Sequence, residues 1–112
     1  MINIIEQLAE FLKVLGDKTR IEILDLLKDG EEKKVTTINE LLGKSQSSIS
    51  QQLKILENAN LVDSRKEGRN KFYKIKDPQI IKIFTLLNSY ISNLNQGKIE
   101  ELADLDILDT LF

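Results

Sequence analysis

Cysteine and histidine are both absent from these 112 residues. Their absence removes disulfides, thiolate nucleophiles, Cys/His zinc sites and histidine acid–base chemistry together. Long apolar runs are also missing. Nothing approaches the roughly 20 consecutive apolar residues that cross a bilayer, and no basic start leads into an apolar signal segment, so a soluble, cytoplasmic protein is expected. The carboxylates are numerous but scattered, with none set in a glycine-rich or nucleophile motif. Neither an enzyme, a cofactor nor a transition-metal centre is expected.

What is present is an uneven distribution of charge. The formal net charge is −2, yet from Arg65 to Lys76 six cations face one acid, Glu67, a local excess of five positive charges. From Gly97 onward five acids face Lys98 alone. The overall acidity is partly a property of the tail, and phosphate contact requires a local basic strip rather than a basic total.

The apolar periodicity divides the chain into helices and one hairpin. Ile4, Ile5, Leu8, Phe11, Leu12 and Leu15 recur at helical steps and stop at Gly16. Asp17 can cap a second helix running through Ile21, Ile23, Leu24, Leu26 and Leu27 toward Gly30. After a charged loop, Val35 is expected as a residue or two of strand. Thr37 and Glu40 have capping-box spacing for a short third helix that ends at Gly43. Ser45 can cap a fourth helix. Leu61 and Val62 begin a strand, Glu67 to Asn70 reads as a turn, and Lys71 to Ile75 alternates as a returning strand. Asp77 and Pro78 then launch a long helix expected to end at Gly97, with a sixth, acidic helix after it. The resulting fold class is mainly α with a small β-hairpin, a winged helix-turn-helix in 1–96 followed by an amphipathic segment in 97–112.

On the fourth helix, Ile49, Leu53 and Leu56 fall on one side. Ser47, Gln51, Lys54 and Asn58 fall opposite, flanked by Ser48 and Ser50. Short hydroxyl side chains permit close approach to base edges, and glutamine can form a two-pronged hydrogen bond with adenine. Gln46 and Ser47 stand at the leading end, where recognition helices meet bases. A polar helix face taken alone is ordinarily only solvated. Here it follows a tight glycine turn and precedes a basic hairpin, and the three elements agree on one DNA-binding unit. Arg65, Lys66, Arg69 and Lys71 near the hairpin tip would touch phosphates or the adjacent minor groove. The bland alternative is a charged edge that blocks strand aggregation.

The run LLGKSQSSISQQLKILENANL, followed by RKEGRNKFYKI and preceded by LGDKTRIEILDLL, resembles the ArsR/SmtB family of winged-helix repressors. The resemblance spans about Leu12 to Ile75. It implies a homodimer on double-stranded DNA, with Gln46, Ser47, Ser50 and Gln51 at positions that face it. Family members often sense metals through cysteines at the start of the third helix, where this chain has Lys34 and Thr36. A second family site uses histidines and carboxylates on the last long helix. Here the corresponding side chains are Asp77, Asn88 and Asn95, oxygen ligands suited only to weak binding of hard cations.

Dimer contacts are expected from the first helix and the helix after Pro78, which carry more apolar surface than one small domain can cover. The acidic tail is expected to extend that interface, with a docking helix or an acidic competitor of DNA as the alternatives. A sequence-specific repressor is the leading function, released if at all by an organic ligand, a protein or simple dilution. An architectural DNA-coating protein at the nucleoid and a winged-helix protein-interaction module are the alternatives.

Overall fold

The computed structural model describes the backbone of residues 3–111 and the side chains of residues 3–98. Two units are distinguished, Met1–Ile81 and Lys82–Phe112. No described helix is long and apolar enough to cross a membrane.

In the first unit, Asn3 caps helix α1 (Ile4–Leu15) by accepting from the Ile5 backbone N–H at 2.8 Å. Asp17 caps α2 (Lys18–Leu27) by accepting from Arg20 N–H at 3.1 Å. Each satisfies a backbone donor that the helix itself leaves open. Helix α2 buries Ile23, Leu24 and Leu27. These side chains share one core with Val35 and Ile38, with Ile49, Leu53 and Leu56, and with Leu61, Val62, Tyr73 and Ile75.

The start of the third helix differs from expectation. The short strand β1 is Lys33–Lys34, not Val35, and α3 (Val35–Leu42) opens with Val35 behind Lys34, which makes no side-chain cap. Thr37 and Glu40 therefore lie inside the helix and form no capping box. The reason is tertiary. Val35 and Ile38 are 5% and 0% exposed, and burying two branched side chains at about 1.5–3 kcal/mol each outweighs a cap worth about 1 kcal/mol.

Helix α3 closes in a Schellman arrangement. Lys44 N–H reaches Asn39 O at 3.0 Å and Gly43 N–H reaches Glu40 O at 3.2 Å, with Gly43 at φ +65°. One residue later Ser45 caps α4 (Gln46–Asn58), its Oγ accepting from Ser48 N–H at 3.2 Å. The same closure recurs at the far end of α4, where Asn60 adopts φ +63° and Leu61 N–H bonds Leu56 O at 3.0 Å. The chain then enters β2 (Val62–Glu67) and returns as β3 (Asn70–Ile75). Only Gly68 of the two-residue tip has positive φ, the pattern of a type II′ hairpin turn. Strand β1 pairs with the other edge of β3, which gives an antiparallel sheet of order β1-β3-β2.

Asp77 and Pro78 start α5 (Pro78–Leu111) as expected, Asp77 Oδ1 accepting from Gln79 N–H at 2.9 Å. The break expected at Gly97 is absent: the backbone continues as one helix through that residue. Glycine in a helix interior costs about 1 kcal/mol relative to alanine, too little to end a helix flanked by Gln96, Lys98 and Glu100 unless a left-handed cap forms. The side chains of the acidic stripe from Ile99 to Leu111 lie outside the described residues. Taken by itself, the second unit is helical, and its apolar side chains Leu86, Tyr90, Ile91 and Leu94 are exposed.

Candidate nucleic-acid interface

Helix α4 is anchored by one face and open on the other. Ile49, Leu53 and Leu56 are each 0% exposed, which fixes the helix's rotation and leaves Gln46, Ser47, Ser50, Gln51 and Lys54 facing out. Ser48 is half-buried, its backbone N–H held by the Ser45 cap. The short Gly43–Lys44 link between two capped ends leaves the leading turn of α4 little freedom relative to α3. That geometry is the turn of a helix-turn-helix.

A groove of about 730 Å³ runs between α4 and the β2–β3 hairpin. It brings Gln46, Ser50, Gln51 and Lys54 of the helix together with Arg69 and Lys71 of the hairpin. Six side chains singled out from sequence thus line one concavity. Ser47 stays exposed beside it on the first helical turn, and Lys66 lies on the hairpin strand; neither lines the groove.

Four further polar residues line the groove without having been expected as DNA contacts: Lys34, Thr36, Asn70 and Tyr73. Lys34 reaches the site because β1 pairs with β3, opposite Phe72, a contact across nearly forty residues that no local pattern announces. Tyr73 is visible only as an apolar position of an alternating strand.

The hairpin presents its cations on two different faces. In the antiparallel register Lys66 stands directly opposite Lys71, and Ser64 opposite Tyr73. Lys66 and Lys71 therefore share the face on which Tyr73 and Val62 are buried. Two exposed cations thus stand side by side on that face. Lys71 also lies over the Tyr73 ring, 5.3 Å from its centroid. Tyr73 at its side, and more weakly the Glu57 charge, hold its ammonium above the usual lysine range, so it is charged at neutral pH.

Arg65 is on the other face and is already engaged. Its Nε and Nη2 donate to the two Glu32 carboxylate oxygens at 2.7 and 2.6 Å, and Nη1 donates to Glu67 at 2.7 Å. The guanidinium also lies 4.4 Å from the Phe72 ring centroid. This bidentate pairing pushes the Glu32 carboxyl below its ordinary range and raises Arg65 further above its own. Arg65 can reach a phosphate only by leaving both acids.

Glu57 is the one carboxylate on α4 itself. It accepts from Ser64 Oγ, joining α4 to β2, and Lys54 Nζ lies 3.7 Å away. Among the described residues no group of three or more acidic side chains converges as a metal site would require. Chemically the arrangement is a cationic, hydrogen-bonding concavity beside an exposed helix.

Comparison with known proteins points the same way. The family model described as bacterial regulatory protein, arsR family, matches residues 17–64. The HTH-type transcriptional regulator MJ1325 of Methanocaldococcus jannaschii is 41% identical over 83 residues, covering 74% of this chain and 93% of that protein. The arsenical resistance operon repressor of Staphylococcus aureus is 34% identical, covering 80% of this chain and 79% of its own length. Among solved structures, the crystal structure of Mycobacterium tuberculosis Rv0081 superimposes with a TM-score of 0.79 at 27% identity, over 88% of this chain and 99% of that one. The solution structure of Mb0332 from Mycobacterium bovis, a homodimeric winged helix-turn-helix DNA-binding domain, gives 0.72 at 30% identity, over 79% and 81%.

Proposed function

Since this chain belongs to the arsR family of bacterial regulatory proteins and is a DNA-binding transcription regulator with a winged helix-turn-helix fold, we propose that it acts as a homodimeric repressor on a palindromic operator. The observation that carries the reading is the groove in which the open polar face of α4 meets the hairpin cations. With α4 in the major groove, Gln46, Ser47, Ser50 and Gln51 address base edges, Gln51 being suited to adenine, and Lys54 the flanking phosphate or base. Lys66, Arg69 and Lys71 neutralise backbone phosphates and set register rather than sequence. As a regulator acting on DNA it would work in the cytoplasm, at the nucleoid.

Dimerisation is supported by exposed apolar side chains on α1 and α5. Leu8 and Leu12 are each half exposed, and Leu86, Tyr90 and Ile91 are more than half exposed. These helices are the proposed interface, and the described homodimer of Mb0332 supports the same assembly. A twofold axis would set two α4 helices roughly 34 Å apart, one turn of DNA. With no thiolate or imidazole in the chain, release from the operator would come, if at all, from an organic ligand, a partner protein or simple dilution.

Selection of bound duplexes from a random pool tests the reading. The expected result is a two-half consensus with mirror symmetry, bound at least about 10³-fold more tightly than random DNA. A specificity ratio near one would replace the repressor with an architectural role. DNA affinity untouched by Gln51→Ala with Lys54→Ala would remove α4 from the interface altogether.

A further inference from the structure

One aliphatic side chain stands open among the charged and amide groups of the groove. Ile55 is 38% exposed and lines the concavity between Gln51, Lys54 and the hairpin. Val35 and Tyr73 also border it, but they are 5% and 3% exposed, their surface spent on the core. An exposed isoleucine among lysines, an arginine and glutamines loses hydrophobic stabilisation in the free protein and gains nothing from phosphates. Among the groups that a DNA major groove presents, the one suited to an aliphatic side chain is the C5-methyl of thymine.

Helical geometry fixes where that methyl would lie. Gln51 and Ile55 are four residues apart, one turn along the same ridge, with Cβ atoms about 6 Å from each other. Base pairs are stacked about 3.4 Å apart, so the two side chains address positions one or two base pairs apart.

Resting on the operator-binding reading above, we propose that Ile55 is a specificity-determining residue that packs on the C5-methyl of a thymine one or two base pairs from the adenine held by Gln51. The hydroxyl and amide groups of α4 then select hydrogen-bonding edges, while Ile55 selects for a methyl. Cytosine at that position offers an N4 amine and no methyl, and is disfavoured twice over.

The test uses the full chain and the operator recovered by selection, with each thymine replaced in turn by uracil, which deletes only the C5-methyl. Binding is followed by fluorescence anisotropy. The expected result is one thymine per half-site whose replacement weakens the wild type by about fourfold, and by about fourteenfold when both half-sites are changed, the worth of one and of two buried methyl groups. Ile55→Ala should bind the thymine operator correspondingly less well and show no difference between thymine and uracil at that position. Thr36→Ser, which removes the other open methyl of the groove, should keep the wild-type discrimination. The proposal is overturned if no uracil substitution affects the wild type, if Ile55→Ala still distinguishes thymine from uracil, or if the discrimination disappears with Thr36→Ser instead. A selection that yields no consensus at all sinks the operator reading and this inference with it; a clean consensus indifferent to uracil sinks only the role of Ile55.

Discussion

Replacing Lys71 by glutamine should alter the salt dependence of DNA binding, whereas replacing Arg65 should not, although both are hairpin cations six residues apart. Lys71 lines the groove, faces Lys66 across the ladder and has no acid within ion-pairing distance among the described contacts. Arg65 is held by Glu32 at 2.6 and 2.7 Å and by Glu67 at 2.7 Å. Each phosphate neutralised contributes about 0.9 to the slope of log affinity against log salt. A dimer uses Lys71 twice, so Lys71→Gln should make the slope shallower by about 1.8. Between 50 and 200 mM salt the wild type should therefore lose about twelvefold more affinity than the variant. The double variant Arg65→Gln with Glu32→Gln removes one cation and one anion together and should leave the slope within about 0.3 of wild type. Anisotropy titrations of an operator duplex at four or more salt concentrations give both slopes. An unchanged slope for Lys71→Gln, or a comparable fall for the Arg65/Glu32 pair, would refute the assignment of hairpin faces.

Leu53→Ala, at a fully buried position of α4, should destabilise the fold by about 2–5 kcal/mol through lost burial and a residual cavity, measured by urea unfolding. Gly43→Ala meets no atom that a Cβ would strike, but its φ of +65° disfavours any side chain. A loss of about 1 kcal/mol, seen in the same assay, is expected from backbone strain alone. The Glu32 carboxyl is held below its ordinary range by Arg65. Its contribution to stability is thus present above the unfolded carboxylate pKa and lost as pH falls through the lowered folded value; a carboxyl-detected NMR titration should show the depression, and Arg65→Gln should abolish it. Leu8→Glu with Leu12→Glu places charges on the proposed dimer face of α1. The measured molecular mass should fall to that of one chain, with far-UV circular dichroism retained; a persisting dimer would move the interface elsewhere.

Local rules were sufficient for much of the architecture. Asp17, Ser45 and Asp77 each cap the helix that follows them. Gly43 takes the left-handed angle of the helix-to-helix turn, and the alternation of Ile49, Leu53 and Leu56 with serines and glutamines separates the core of α4 from its open face. Each of these depends on residues within one turn of one another. Where the local reading failed, a distant contact or a weak penalty decided. Thr37 lost its capping role to the burial of Val35, and Gly97 did not stop α5 because a single glycine is a small cost within a good helix.

The chain's order of residues was enough to establish which helix turns a hydroxyl-and-amide face outward, that a basic hairpin follows it, and that thiol and imidazole chemistry play no part. Folding in three dimensions decided how the hairpin cations divide. Pairing of β1 with β3 and the seating of Arg65 on Glu32 take one cation out of service, while Lys71 and Arg69 turn toward α4 and Ile55 is left open among them. The physical reason is range. Helix periodicity and caps operate over a few residues, but whether a charge is free or already paired depends on groups that meet only after the chain has closed on itself, as Arg65 and Glu32 do across 33 positions.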